Sequence, residues 1–274
     1  MPAPPGLKDS LHRHPADSYF VLTFLISWTC AFAVAAPHLL RREPLPQLTG
    51  VLMFPAMLLG PGLSSLALTG ILDGKPGLRD LQARLTRWRI PGIWYAVLAL
   101  PPLLVLLVLS ALRVSFSPAY APNHFWLGIL FGIPAGLLEE IGWMGFAFPK
   151  LVQRRDAFSS GIVLGLLWSL WHLPVINFLG AATPHGRYWF PFFLAFAAAM
   201  TAMRVLIAWA YTNTRSVLLA QLLHISSTSS LVVFSPAISA AREVFWYALY
   251  AATLWLFVLV VPRTCGNPLT NRIP

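Results

Sequence analysis

The chain has 274 residues, of which 57% are hydrophobic and only 10% charged, against about 25% charged in an ordinary soluble domain. That composition excludes a disordered chain, and 19 Lys and Arg with 9 Asp and Glu are too few to solvate a globule of this size. Lipid is the fitting solvent, and in lipid each charge becomes informative.

A helix needs roughly 20 mostly apolar residues to cross a bilayer. In chain order, eight stretches qualify: about Tyr19–Leu40, Leu48–Leu72, Ile93–Leu112, Phe125–Phe148, Phe158–Leu179, Tyr188–Tyr211, Val217–Phe234 and Val244–Val261. Their apolar runs are continuous rather than alternating, which favours helices over barrel strands. The expected fold is therefore all-α, an integral, multi-pass membrane bundle of about eight transmembrane helices. Prolines at 55, 61, 101, 102, 134, 174 and 191 predict that some of these are kinked or broken. The predicted organisation is a tail over 1–18, a membrane domain over 19–261 and a second tail over 262–274. No internal repeat of the kind many transporters carry is visible.

After the second span, Leu78, Leu81, Leu85 and Trp88 recur at helical spacing, with Arg79, Arg84, Arg87 and Arg89 between them. This reads either as an amphipathic helix on an anionic leaflet or as plain topogenic charge. With eight spans both termini share one side. Thirteen basic residues fall on that side and five on the other, leaving Arg204 inside span six. The positive-inside rule then makes both termini cytoplasmic, with a bacterial plasma membrane as the expected location. Orientation accounts for the net charge of +10, and no nucleic-acid motif is present. Cys30 and Cys265 lie too far apart in the chain to suggest a disulfide or metal framework.

The motif-bearing core, about 125–234, covers spans four to seven. Of the nine acidic residues, only Glu139 and Glu140 lie well inside a span. Each charged carboxylate there costs on the order of 3 kcal/mol, so both are functional candidates. They point about 100° apart on a helix and so face different partners. His172 and His224 are also intramembrane, and Thr228 shares the face of His224 one turn on. A carboxylate with an imidazole can hold and deprotonate a water, and a second imidazole with a hydroxyl can stabilise an oxyanion. Gly161-x-x-x-Gly165 permits close helix packing within or between chains, so the oligomeric state stays open. The same buried groups also permit a proton-coupled transporter, with the carboxylates and histidines as a relay.

Three stretches in this order are distinctive: Glu139-Glu140-Ile-Gly-Trp-Met-Gly-Phe-Ala-Phe-Pro, then Trp168-x-x-x-His172-Leu-Pro, then His224-x-x-x-Thr228. Together they resemble the motifs of the CAAX protease and bacteriocin-processing (Abi) family of intramembrane endopeptidases, which includes the type II CAAX prenyl endopeptidases. The resemblance implies that Glu139 and His172 activate the attacking water. It implies that His224 and Thr228 stabilise the oxyanion, with Glu140 as a supporting carboxylate. The substrate would be a peptide or protein, prenylated in the eponymous case. No metal is required in this reading, although Glu139, His172 and His224 could in principle hold zinc.

Three positions depart from the family pattern. Met144 stands where the family usually has Arg, Trp168 where it often has Phe, and Thr228 where it usually has Asn or Asp. These leave open a catalytically silent scaffold or immunity protein on the same fold. Arg204 could replace the missing cation, but snorkelling to the interface is the simpler expectation for it. At ~1.5 Å per residue from the predicted cytoplasmic ends, Glu139 lies ~13 Å deep, His224 ~10 Å and His172 ~21 Å. On that count His172 is out of step with the others.

Overall fold

The computed structural model describes residues 6–179 and 185–264. The final segment from 265, which includes Cys265 and Arg272 of the expected tail, lies outside the described residues. Every regular element among them is a helix.

A short α1 (Leu7–Arg13) leads into α2 (Pro15–Arg41). The second span is a pair, α3 (Gln47–Met57) and α4 (Leu59–Leu72), followed by the polar α5 (Gly74–Leu85). A 3₁₀ segment, Gly92–Ala99, runs into α6 (Leu100–Ser115), whose first turn holds Pro101 and Pro102. Next come α7 (Ile129–Gly142), a π-helical turn (Trp143–Ala147) and α8 (Phe148–Leu151) as one continuous run. The chain continues through α9 (Ala157–Trp171), α10 (Leu173–Leu179), α11 (Trp189–Thr214), α12 (Val217–Phe234) and α13 (Ala240–Thr264).

Seven of these runs are long and apolar enough to cross a membrane: Pro15–Arg41, Gln47–Leu72, Gly92–Ser115, Trp126–Leu151, Gly186–Thr214, Val217–Phe234 and Ala240–Val260. The expected fifth span differs. Its first part, α9, has 15 residues and stops at Trp171, and the remainder restarts as α10. Pro174 explains the break, because it has no N–H to give to the carbonyl of Leu170.

Without water to drive them together, membrane helices associate through close backbone approach and polar contacts. Gly165 shows the first: a Cβ there would lie 2.6 Å from the Thr201 Cα on α11. Gly161 faces Val205 on the same helix, so this glycine pair serves packing within the chain. Gly132 and Gly136 of α7 likewise meet α12 at Ser229 and Ile225. Among the polar contacts, Gln221 Nε2–H donates to the Leu137 carbonyl at 2.7 Å, and the Ser65 hydroxyl donates to the Ile141 carbonyl at 2.8 Å.

The helix expected after the second span exists, but it docks on protein. Leu81 is buried, and Arg84 turns inward. Arg84 Nη1–H donates to the Gly145 carbonyl and to the Tyr211 hydroxyl, each at 3.0 Å. Four residues after Gly145 stands Pro149, which has no N–H for that carbonyl, so Arg84 supplies the missing donor. Trp88 falls beyond the end of α5 and is exposed.

Candidate active site

Helices α7, α9, α11 and α12 converge on one polar cluster inside the apolar core. Glu139 and Glu140 occupy the last turn of α7, both fully buried, immediately before the π-helical turn. Such turns widen a helix and recur at functional sites. Their 100° separation sends the two carboxylates to different partners.

Glu139 Oε2 accepts two indole N–H groups, from Trp168 at 2.7 Å and from Trp143 at 3.0 Å. Oε1 makes neither bond. Glu140 Oε1 accepts Arg204 Nη1–H at 2.6 Å and His224 Nδ1–H at 2.7 Å. The Arg204 guanidinium also lies over the Trp168 ring, 4.2 Å from its centroid.

Trp168 stands at the centre. Edge-to-face contacts put its ring 5.2 Å from that of His172 and 5.1 Å from that of His224. Through this one indole the structure brings Glu139, His172 and His224 together, while Glu140 joins by its bond to His224. His172 lies at the α9–α10 break, and its Nδ1 is 2.7 Å from the Trp168 carbonyl. A carbonyl can only accept, so Nδ1 carries the proton and the neutral ring keeps a lone pair on Nε2.

Thr228, one turn after His224, does not join this hydrogen-bonded cluster. It lines, with His172 and Trp168, an otherwise mostly apolar cavity of about 240 Å³ whose walls include Phe54, Phe131 and Phe196. A cavity of about 320 Å³ under α5 is more polar, lined by Asp73, Asp80, Arg84 and Lys150 among others, but none of the five candidate residues reaches it.

The mismatch in depth between Glu139 and His172 closes. The α7–α8 run continues to Leu151 rather than stopping at Phe148. Glu139 therefore lies ~18 Å from its end, against ~22 Å for His172 from Ala157. The His172 bond to Trp168 also turns its ring back by a helical turn, the direction helical side chains favour.

Arg204 corrects an expectation. It does not snorkel: its side chain is fully buried and ion-paired with Glu140. Met144 is a fully buried apolar core residue of the π-helical turn. Among the described residues no three His, Cys, Asp or Glu side chains converge as a metal site. Trp143, Trp168 and Arg204 are site residues whose contacts spacing alone did not reveal. Their signals were present: Trp143 is four after Glu139, Trp168 four before His172, and Arg204 is the basic residue within a span.

Comparison with known proteins covers the segment that holds this cluster. Residues 121–230, which hold all five candidate residues, match the family described as type II CAAX prenyl endopeptidase Rce1-like. Over this segment the chain is similar to the Rce1-like family. A relative from Methanococcus maripaludis, named CAAX prenyl protease 2, is 25% identical over 230 residues, covering 78% of this chain and 83% of that protein. The matching family and the relative both point to a peptidase, and the apolar helices make this chain a multi-pass integral membrane protein.

Proposed function

We propose that this Rce1-like protein hydrolyses a peptide bond near the C-terminus of a prenylated substrate, using a water activated by Glu139 and His172. The observation that carries the reading is the buried cluster around Trp168, which meets an apolar cavity through His172 and Thr228. With both indole donors on Oε2, Glu139 has Oε1 to take a proton from water. His172 has its Nε2 lone pair to hold that water in line. The hydroxide adds to the scissile carbonyl, and the proton passes to the leaving amine.

The oxyanion would be met by Thr228 from its hydroxyl and by His224 from Nε2 when the ring carries its second proton. Glu140 keeps the His224 ring in place through Nδ1. The aromatic walls of the cavity suit a hydrocarbon chain lying beside the reacting carbonyl, which is why a prenylated peptide is the chosen substrate. Exclusion of bulk water strengthens each of these electrostatic contacts. No metal takes part.

The test uses purified protein in lipid vesicles with one CAAX-terminated peptide, prenylated and unprenylated. Mass spectrometry should find release of the C-terminal fragment from the prenylated form, unchanged by a zinc chelator. Intact peptide with pH-driven solute flux would instead favour the relay reading. Cleavage lost on chelation and restored by zinc would contradict the metal-free route.

A further inference from the structure

We propose that Arg204 is a positioning residue, a buried cation that holds Glu140 against His224 and Trp168 against Glu139 in one site. The proposal rests on the peptidase reading above and assigns a part to a side chain which that chemistry leaves unused.

Arg204 touches both halves of the cluster. Its Nη1 holds Glu140 Oε1, the same oxygen that receives the His224 Nδ1–H, so it fixes the rotation of the carboxylate that orients His224. Its guanidinium face lies on Trp168, the indole that donates to Glu139 and packs edge-on against both histidines. Removing it frees the Glu140–His224 pair and the Trp168 plane together.

The bonding of the pair argues for position rather than stability. Arg204 Nε and Nη2 find no protein acceptor, and Glu140 Oε2 finds no protein donor. In a buried ion pair this sparsely bonded the desolvation cost can exceed the Coulombic gain, and apolar residues of similar volume would often serve stability as well. What they could not do is hold one oxygen against His224 and one aromatic face against a cation. Met144 lies four residues after Glu140, about one turn along the same run, and is fully buried. Glu140 receives its cation from α11.

The experiment compares Arg204→Met, Arg204→Lys, Met144→Arg/Arg204→Met and Glu140→Gln/Arg204→Met with wild type in vesicles. Readouts are kcat, KM and unfolding temperature. Arg204→Met should lower kcat about 10- to 100-fold, the range for losing a group that orients a functional side chain. KM should stay within about twofold, as for an interaction not used in ground-state binding. Arg204→Lys keeps the charge without the flat face and should fall between. Met144→Arg/Arg204→Met should regain most of the lost kcat, a recovery that a space-filling role for Arg204 would not give.

Wild-type kcat in Arg204→Met, or a folded double variant that regains nothing, would overturn the proposal. If Arg204→Met fails to fold, kinetics are read on Arg204→Lys. The double variant with Glu140→Gln should then unfold at a higher temperature than Arg204→Met alone, because it leaves no unpaired buried carboxylate. If wild type cleaves nothing, the peptidase reading fails separately. The unfolding temperatures still test the contact on which the proposal stands: absence of coupling between Arg204 and Glu140 would overturn it.

Discussion

Trp168→Phe is the sharpest small perturbation of this site. Phe keeps an aromatic face under Arg204 and edges against His172 and His224, and removes the N–H that Glu139 Oε2 accepts at 2.7 Å. A hydrogen bond to a charged group contributes about 1.5–3 kcal/mol, and about 1.4 kcal/mol is a factor of ten in rate. Trp143 still donates to the same oxygen at 3.0 Å, so the loss belongs at the lower end, about tenfold in kcat. Single-turnover cleavage of the prenylated peptide measures it. Trp143→Phe, which removes the longer bond, should cost less, and the double variant more than either. If Trp168→Phe cleaves at the wild-type rate while Glu139→Ala is inactive, the indole donors do not set the competence of Glu139, and the argument from this bond fails.

Other consequences can be measured in the same preparation. Thr228→Val, which removes a hydroxyl lining the His172 cavity, should lower kcat ~10²-fold with less effect on KM; an unaltered kcat would remove Thr228 from the oxyanion site. Gly165→Ala, pressed against Thr201, should lose about 1–3 kcal/mol of stability by overpacking, whereas Gly92→Ala, which meets nothing within 4 Å, should unfold like wild type. Asp156 caps α9, and its carboxylate accepts the Ser159 N–H and hydroxyl. Burial pushes that carboxyl up, but these bonds prevail and hold it below the usual range. Its stabilisation, about 1 kcal/mol against Asp156→Ala, should be complete above the ordinary aspartate value of about 3.9 and fade as pH falls through the lowered one. A stability difference between wild type and Asp156→Ala that stays constant into strong acid would contradict this.

The spans and the site were legible for one reason: in lipid, polar residues are costly enough to be sparse. The same reasoning picked out Glu139, Glu140, His172 and His224; the structure gathers three of them around a single indole and joins Glu140 through His224. Arg204 was misjudged because snorkelling depends on which face of α11 it occupies, and only the packing of α11 against α7 and α9 determines that. Trp168 was undervalued because sequence shows its size and not the direction of its N–H. The depth of His172 could not be judged without knowing that the α7–α8 run reaches Leu151. The fifth span reads as one apolar stretch, and its division at His172 follows from the geometry around Pro174. The departures at Met144 and Trp168 looked independent in sequence, yet Arg204 makes the ion pair that Met144 cannot and lies on the ring of Trp168.

The central claim is that Glu139 and His172 together activate the attacking water. Its most direct test is the cleavage rate of the prenylated peptide by wild type, Glu139→Ala and His172→Ala in identical vesicles, each verified as folded by its unfolding temperature. The account predicts fragment release by wild type and none above background by either variant. Equal cleavage by all three would contradict it.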